Sequence, residues 1–305
     1  MQSTFTGFNM LLHSYTNGDT SVSIYSDGTK IRDISKGTRA DFPESIDVKI
    51  TNWCDAGCHW CHEKSTPKGW HGNLQETLEI LTQLPAGVEI AIGGGHPLSH
   101  PGFIDFVRIL SSKGIICNVT INEKHFEKEL MLIQDLVSKG FIKGVGYSYN
   151  SKPCTWKYEH LVTHVIIGLT DPKSVGDIVK VNPKILLLGY KSVGRGILYR
   201  NKFPEVVEDN IAAWYRLLPF IAREAHLSFD NLAIEQLKPA RIFRRKSDYE
   251  KFYMGRDGVY SMYMDAVTLT YSQSSTHSTK IAFGKNIKDM FLSIHPENIN
   301  AANQS

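Results

Sequence analysis

The sequence has no long apolar run. No stretch approaches the roughly 18 consecutive apolar residues that a membrane-spanning helix needs. It has no strong charge of either sign: 34 Lys and Arg against 31 Asp and Glu leave a net +3, too little to mark a polyanion binder by charge alone. The start, Met1 to Met10, lacks the basic stretch followed by an apolar segment of a secretory leader. Cysteine is scarce and odd in number, five in 305 residues, so it makes no disulfide framework. These absences point to a reducing compartment, and the cytoplasm is the expectation. No internal repeat is visible beyond an alternation of strand and helix signals. An apolar fraction of 42% suffices for one large core with appendages.

Three of the five cysteines fall within eight residues, Cys54-Asp55-Ala56-Gly57-Cys58-His59-Trp60-Cys61. Structural iron–sulfur clusters are normally closed by four thiolates. Three thiolates would hold three corners of a cubane and leave one iron open for chemistry. The same residues allow a closed zinc site of three thiolates and one imidazole, with His59, His62 or His71 as the fourth ligand. Of the other two cysteines, Cys117 lies in a strand pattern and reads as a buried thiol. Cys154 follows Pro153 in a loop and is a candidate hydrogen-atom donor.

From residue 45 onward, strands and helices alternate. Ser45 to Thr51 alternates polar and apolar residues and runs into the cysteine loop. Asn73 to Leu84 reads as a helix with Asn73 as N-cap and Glu76 completing a capping box. Val88 to Ile92 is a short strand ending in Gly93-Gly94-Gly95. The alternation continues with a helix over 101–113, a strand over 115–121, a helix over 124–139 and strands over 142–149, 161–168 and 184–189. A long striped helix over 204–223 follows. Six β–α steps imply a parallel sheet, and six are too few to close an eight-stranded barrel. Residues 1–44 read as a small β element, with a hairpin of Val22 to Tyr25 and Lys30 to Ile34 around Ser26-Asp27-Gly28. Residues 225–305 form a C-terminal α+β extension, in which Ala225 to Leu237 and Val259 to Ser272 read as strands; it is expected to cover the open side of the barrel, and the tail after Asn298 is expected to be disordered.

The cysteine run, with Trp60 just before Cys61, resembles the signature of the radical SAM superfamily. That resemblance implies one 4Fe-4S cluster on Cys54, Cys58 and Cys61, with S-adenosylmethionine bound to the open iron. It implies reductive cleavage to a 5′-deoxyadenosyl radical and hydrogen abstraction from a substrate. It also implies an α/β fold whose core, 45–224, is an open (β/α)6 partial barrel of parallel strands, with the site at their C-terminal ends. Gly93-Gly94-Gly95-His96-Pro97 resembles the family's Gly-Gly-Glu-Pro motif, with His96 where Glu is usual. Gly94, Gly95 and His96 are then expected at the amino group of the cofactor. The third and fourth strand ends bring Thr120, Asn122 and Ser148 toward its ribose or carboxylate. Ile167 is expected along the adenine, and Trp60 is expected to pack on it.

The substrate is less visible. Arg195, Asp265 and Cys154 are candidate catalytic or substrate-binding residues. Lys238, Arg241, Arg244, Arg245 and Lys246 make a basic segment around Phe243 that suits a phosphate or nucleic acid, or simply a solvated surface. A nucleotide, a modified base or a small metabolite are the substrate classes considered. A flavodoxin or ferredoxin is the expected electron donor. Two alternatives stay open: a glycyl-radical activase acting on a protein partner, and a zinc- or cluster-stabilised nucleic-acid-binding protein without catalysis.

Overall fold

The structure, a computed structural model, describes residues 9–296. The tail after Asn298 and most of the Met1 to Met10 start lie outside the described residues.

A three-stranded antiparallel sheet opens the chain: β1 (Leu11–Asn17), β2 (Thr20–Tyr25) and β3 (Lys30–Asp33), in that order. The expected hairpin is β2–β3. The Asp27 carboxylate accepts from the backbone N–H and hydroxyl of Thr29 and so fixes the turn (2.8 and 3.0 Å). β1 adds one strand before it, across a tight turn in which Gly18 has φ 61°.

The main body alternates as follows: β4 (Ser45–Thr51), α1 (Leu74–Leu81), β5 (Glu89–Gly94), α2 (Phe103–Ser112), β6 (Ile116–Asn122), α3 (Glu123–Ser138), β7 (Gly144–Ser148), β8 (Leu161–Ile166), α4 (Val175–Val181), β9 (Lys184–Leu188), α5 (Arg195–Lys202), α6 (Pro204–Ile221), β10 (His226–Phe229) and α7 (Asn231–Leu237). Then come α8 (Lys246–Glu250), β11 (Ser261–Asp265), β12 (Thr270–Ser272), β13 (Ile281–Ala282) and α9 (Ile287–Ile294). Strands β4 to β10 lie side by side in chain order and parallel; β11 pairs parallel on the other edge of β4, and β12 and β13 follow antiparallel. The result is an α/β fold with a mostly parallel, barrel-type sheet.

Three details differ from the sequence reading. The stretch 225–237 is a strand and then a helix, because Asp230 accepts from the Ala233 N–H as an N-cap and also from the Gly189 N–H. That strand, β10, is a seventh parallel strand paired to β9. And residues 149–160, between β7 and β8, are irregular, so one of the six β–α steps has no helix.

The strands face two environments. Ile46, Val48, Ile50, Ile90, Ile92, Val119, Ile121 and Val145 are buried against the helices with Phe103, Phe106 and Leu110. A second cluster gathers Val165, Ile185 and Leu187 around the fully buried Trp214, whose indole N–H donates to the Thr170 carbonyl (2.7 Å). Parallel strands covered on both faces are usually apolar throughout. Here the other face carries Asp47, Ala91, Gly93, Thr120, Ser148 and His164, which line an open lumen. The C-terminal segment reaches across that lumen. Lys191 after β9 donates to Ser275 (2.9 Å), and Asn231 in α7 donates to Asp257.

Candidate active site

The cysteine loop leaves the C-terminal end of β4 and folds back on itself. Cys54 N–H donates to Thr66 O and Thr66 N–H to Asn52 O (3.0 and 3.1 Å), which makes a short ladder. Three neighbours then hold the loop. From α3, Lys124 Nζ donates to Ala56 O (2.6 Å) and His125 Nε2 meets Asp55 (2.6 Å). From α5, Arg195 Nε donates to Cys58 O, its Nη2 to Ser65 O, and its backbone N–H to Cys61 O, each at 3.0 Å. From β4, Lys49 Nζ lies 2.7 Å from Glu63 and 3.0 Å from Asp265 of β11. Burial would depress Lys49, and the two carboxylates outweigh it, so its pKa stands above the usual lysine value.

The Gly-rich end of β5 packs on the same loop. Gly95 N–H donates to Thr51 O (2.7 Å) and His96 N–H to Trp53 O (2.8 Å). A Cβ on Gly95 would lie 2.1 Å from the Trp53 carbonyl oxygen. The close backbone approach that these glycines permit is therefore, in this chain, an approach to the cysteine loop.

The three thiols are free and half-buried. Burial, and then Cys61, raise the Cys58 thiol pKa, while Lys124, Arg195 and an Asn122 amide 3.7 Å from its sulfur act the other way. Burial also raises Cys54. Three thiols on one loop, desolvated and flanked by two cations, form a donor set that fits a thiolate-bound anionic cluster. Among the described residues no three His, Cys, Asp or Glu side chains converge on a single ion, as a closed zinc site requires.

Beside Cys58 and Cys61 opens a cavity of about 260 Å³ at the strand ends. Of the residues singled out from sequence, Trp60, Gly94, Gly95, Thr120, Asn122 and Ser148 line it. His96 lies off it, with Nε2 3.2 Å from Glu129 and its ring stacked on His125 at 4.0 Å. Ile167 is fully buried in the core behind the sheet, and its neighbour Ile166 lines the cavity instead. Arg195 grips loop carbonyls, and Asp265 pairs with Lys49 while accepting from Val267 N–H. Cys154 is buried off the cavity, and Cys117 lies behind β6 with its thiol pushed up to about 12 by burial. In the basic segment, Arg241 stacks on Tyr215, Arg245 pairs with Asp248 and Lys246 with Glu250.

Tyr263, which the sequence offers as a pocket residue, does line the lumen, and several other lining residues were not anticipated: Asp47, Lys49, Glu63, His164 and Lys191. Burial pulls His62 below the usual histidine value and His164 down to about 4, so the His164 ring is neutral near pH 7. Two of these residues had a signal. Asp47 and Lys49 are charges inside a parallel strand, and they make sense only if one face looks into a lumen.

Comparison with curated proteins finds no significant match. Among solved structures, Streptococcus suis SuiB bound to S-adenosylmethionine superposes with a TM-score of 0.53 at 14% identity, covering 87% of this chain and 68% of that one. SuiB bound to its precursor peptide SuiA gives 0.54 at 14% identity, covering 88% and 68%. At that identity the likeness is one of fold. The sequence itself matches the model of the radical SAM superfamily over residues 48–142. That stretch runs from within β4 through all three thiols to the threshold of β7.

Proposed function

We propose that Cys54, Cys58 and Cys61 hold the cluster and that the adjoining cavity holds S-adenosylmethionine. The radical SAM superfamily, whose model matches residues 48–142, works with a 4Fe-4S cluster and S-adenosylmethionine as cofactors. The chemistry they supply when bound is reductive cleavage to methionine and a 5′-deoxyadenosyl radical, which takes a hydrogen atom from a substrate. The protein supplies position and exclusion. Thr120, Asn122 and Ser148, at successive strand ends, offer hydroxyl and amide groups to ribose and carboxylate. The carbonyls at Gly93–Gly95 are placed to accept from the amino group. Trp60, edge-on to Tyr199, offers an apolar surface to the adenine.

The observation that carries this reading is that Cys58 and Cys61 share one cavity with residues from the ends of β5, β6, β7 and β8. The exposed rim of the loop, Asp55, Gly57 and His59, is where a reduced flavodoxin or ferredoxin would approach. The substrate enters through the lumen as a small metabolite or a nucleotide-like molecule. No observation favours the activase reading or the non-catalytic zinc reading.

Purified anaerobically, the protein should carry about four irons per chain. With dithionite and S-adenosylmethionine it should release 5′-deoxyadenosine. Cys58→Ala should bring that release to background. Release from Cys58→Ala at the wild-type rate would end the assignment.

A further inference from the structure

Next to the strand-end cavity the lumen continues into a second chamber of about 150 Å³. The two share His62, Gly93, Gly94, Thr120 and Lys191, so a molecule in one lies against the other. Four charged side chains line the second chamber: Asp47, Lys49, Glu63 and Lys191. Lys49 is committed to Glu63 and Asp265 at 2.7 and 3.0 Å. Both carboxylates of that triad also act at longer range on Lys280, which is anchored to Ser272, Ser274 and Ser275 and lies 4.6 Å over the Tyr263 ring. These four groups offset one another.

Asp47 and Lys191 do not belong to that set. Among the described residues Asp47 accepts no hydrogen bond and forms no ion pair, and the Lys191 ammonium donates to Ser275 alone. They carry opposite charge in one chamber and stand farther apart than an ion pair. The wall beside Asp47 is bare: its parallel neighbour on β5 is Ala91, and a side chain on Gly93 would meet open space. Asp47 is solvent-accessible in this chamber and Lys191 is half-buried; opposite charges held apart on one concave wall leave both free for a ligand that carries the complementary pair. About 150 Å³ is room for roughly five waters, the bulk of a small amino acid.

We infer that this chamber binds a small zwitterion, or the zwitterionic end of a larger substrate, with a cationic amine on Asp47 and an oxyanion, carboxylate or phosphate, on Lys191. As a substrate site it rests on the reading of the adjoining cavity as the S-adenosylmethionine site; as a binding site it does not.

The test is calorimetric titration of the anaerobic, cluster-containing protein. One set of probes is the ω-amino acids from glycine to 6-aminohexanoate; a second is 2-aminoethyl and 3-aminopropyl phosphate. Butylamine and butanoate are the singly charged controls. At least one zwitterion should bind about tenfold or more tighter than either control. Asp47→Asn and Lys191→Met should each reduce it to control level. Asp47→Glu, with iron content and circular dichroism unchanged, should shift the preferred probe to a chain shorter by one methylene. The winning set tells carboxylate from phosphate. The inference is overturned if no zwitterion exceeds the controls, as when Lys191 swings onto Asp47 in solution, or if Asp47→Asn binds as the wild type does. Release of 5′-deoxyadenosine without any probe is measured in parallel on the wild type. Its absence would sink the cofactor reading and leave the binding result standing.

Discussion

Two charged residues two positions apart on β4 meet opposite fates. Lys49 is pinned between two carboxylates and drawn into the fold. Asp47, on the same face, is accessible from the lumen yet hemmed in by protein. Burial pushes its carboxyl pKa above the usual range; Lys191 partly opposes this, and Asp257 and Asp230 add to it. The sign for stability follows. A carboxyl whose folded pKa is raised costs nothing below its unfolded value, near 4, where both states are protonated. The cost appears as the pH rises from there to the folded value and then stays constant. Asp47→Asn should therefore melt higher than the wild type at pH 7, with the gap closing as the pH falls toward 4. Asp47 is exposed to the lumen, so water screens much of that penalty, and the gain should stay below about 1 kcal/mol, a shift of about 2 °C or less in a chain of this size. Thermal melts across that range check it; equal melting points at pH 7 would mean that lumen water or a partner already offsets the burial of Asp47.

At the scale of elements, the Gly-rich end of β5 depends on contact with the cysteine loop. Gly95→Ala places a methyl against the Trp53 carbonyl and should break the hydrogen bonds from Gly95 and His96 to Thr51 and Trp53. The expected loss is about 2 kcal/mol, from two hydrogen bonds at about 1 kcal/mol each, together with reduced iron content. Gly93→Ala, whose methyl meets nothing within 4 Å, should melt as the wild type does. Iron analysis and melts of the pair separate crowding from a mere dislike of side chains in this strand. Much of this scale was legible. β4 covers the same seven residues that alternation marks, and Asn73 caps α1 by accepting from the Glu76 N–H. What escaped depends on distant partners. The helix α5 starts inside Gly194-Arg195-Gly196, which reads as a loop. It starts there because Gly194, at φ 61°, fits against the His62 carbonyl and Arg195 donates to Cys61 O. His96 sits at the motif position expected to face the cofactor, but Glu129 and His125 of α3 take its ring. No local pattern announces either contact, nor that Lys191 and Asp47, 144 positions apart in the chain (191 − 47), line one chamber.

At the scale of the molecule, the C-terminal extension is woven into the first core. Met262, Met264, Tyr271, Met290 and Phe291 are buried in the same cluster as the residues of β4, β5 and α2. β11 covers the outer edge of β4 over five register pairs. The Ala266 carbonyl accepts from Asn73 N–H at the start of α1, and the Gln83 side chain joins the end of α1 to Lys285 and Ile287 at the start of α9. A chain ending after residue 258 would keep all seven consecutive parallel strands. It would also bare the edge of β4, strand its core face and leave the Lys49 charge without Asp265. Exposed strand edges pair with other chains, and large buried side chains left uncovered destabilise by several kcal/mol in sum. That truncation should come out of cells aggregated or, where soluble, without a cooperative melt. Should it give a monomer by size exclusion that melts in one sharp transition, the parallel sheet folds without its C-terminal cover and the lumen is closed by an addition rather than by the core itself.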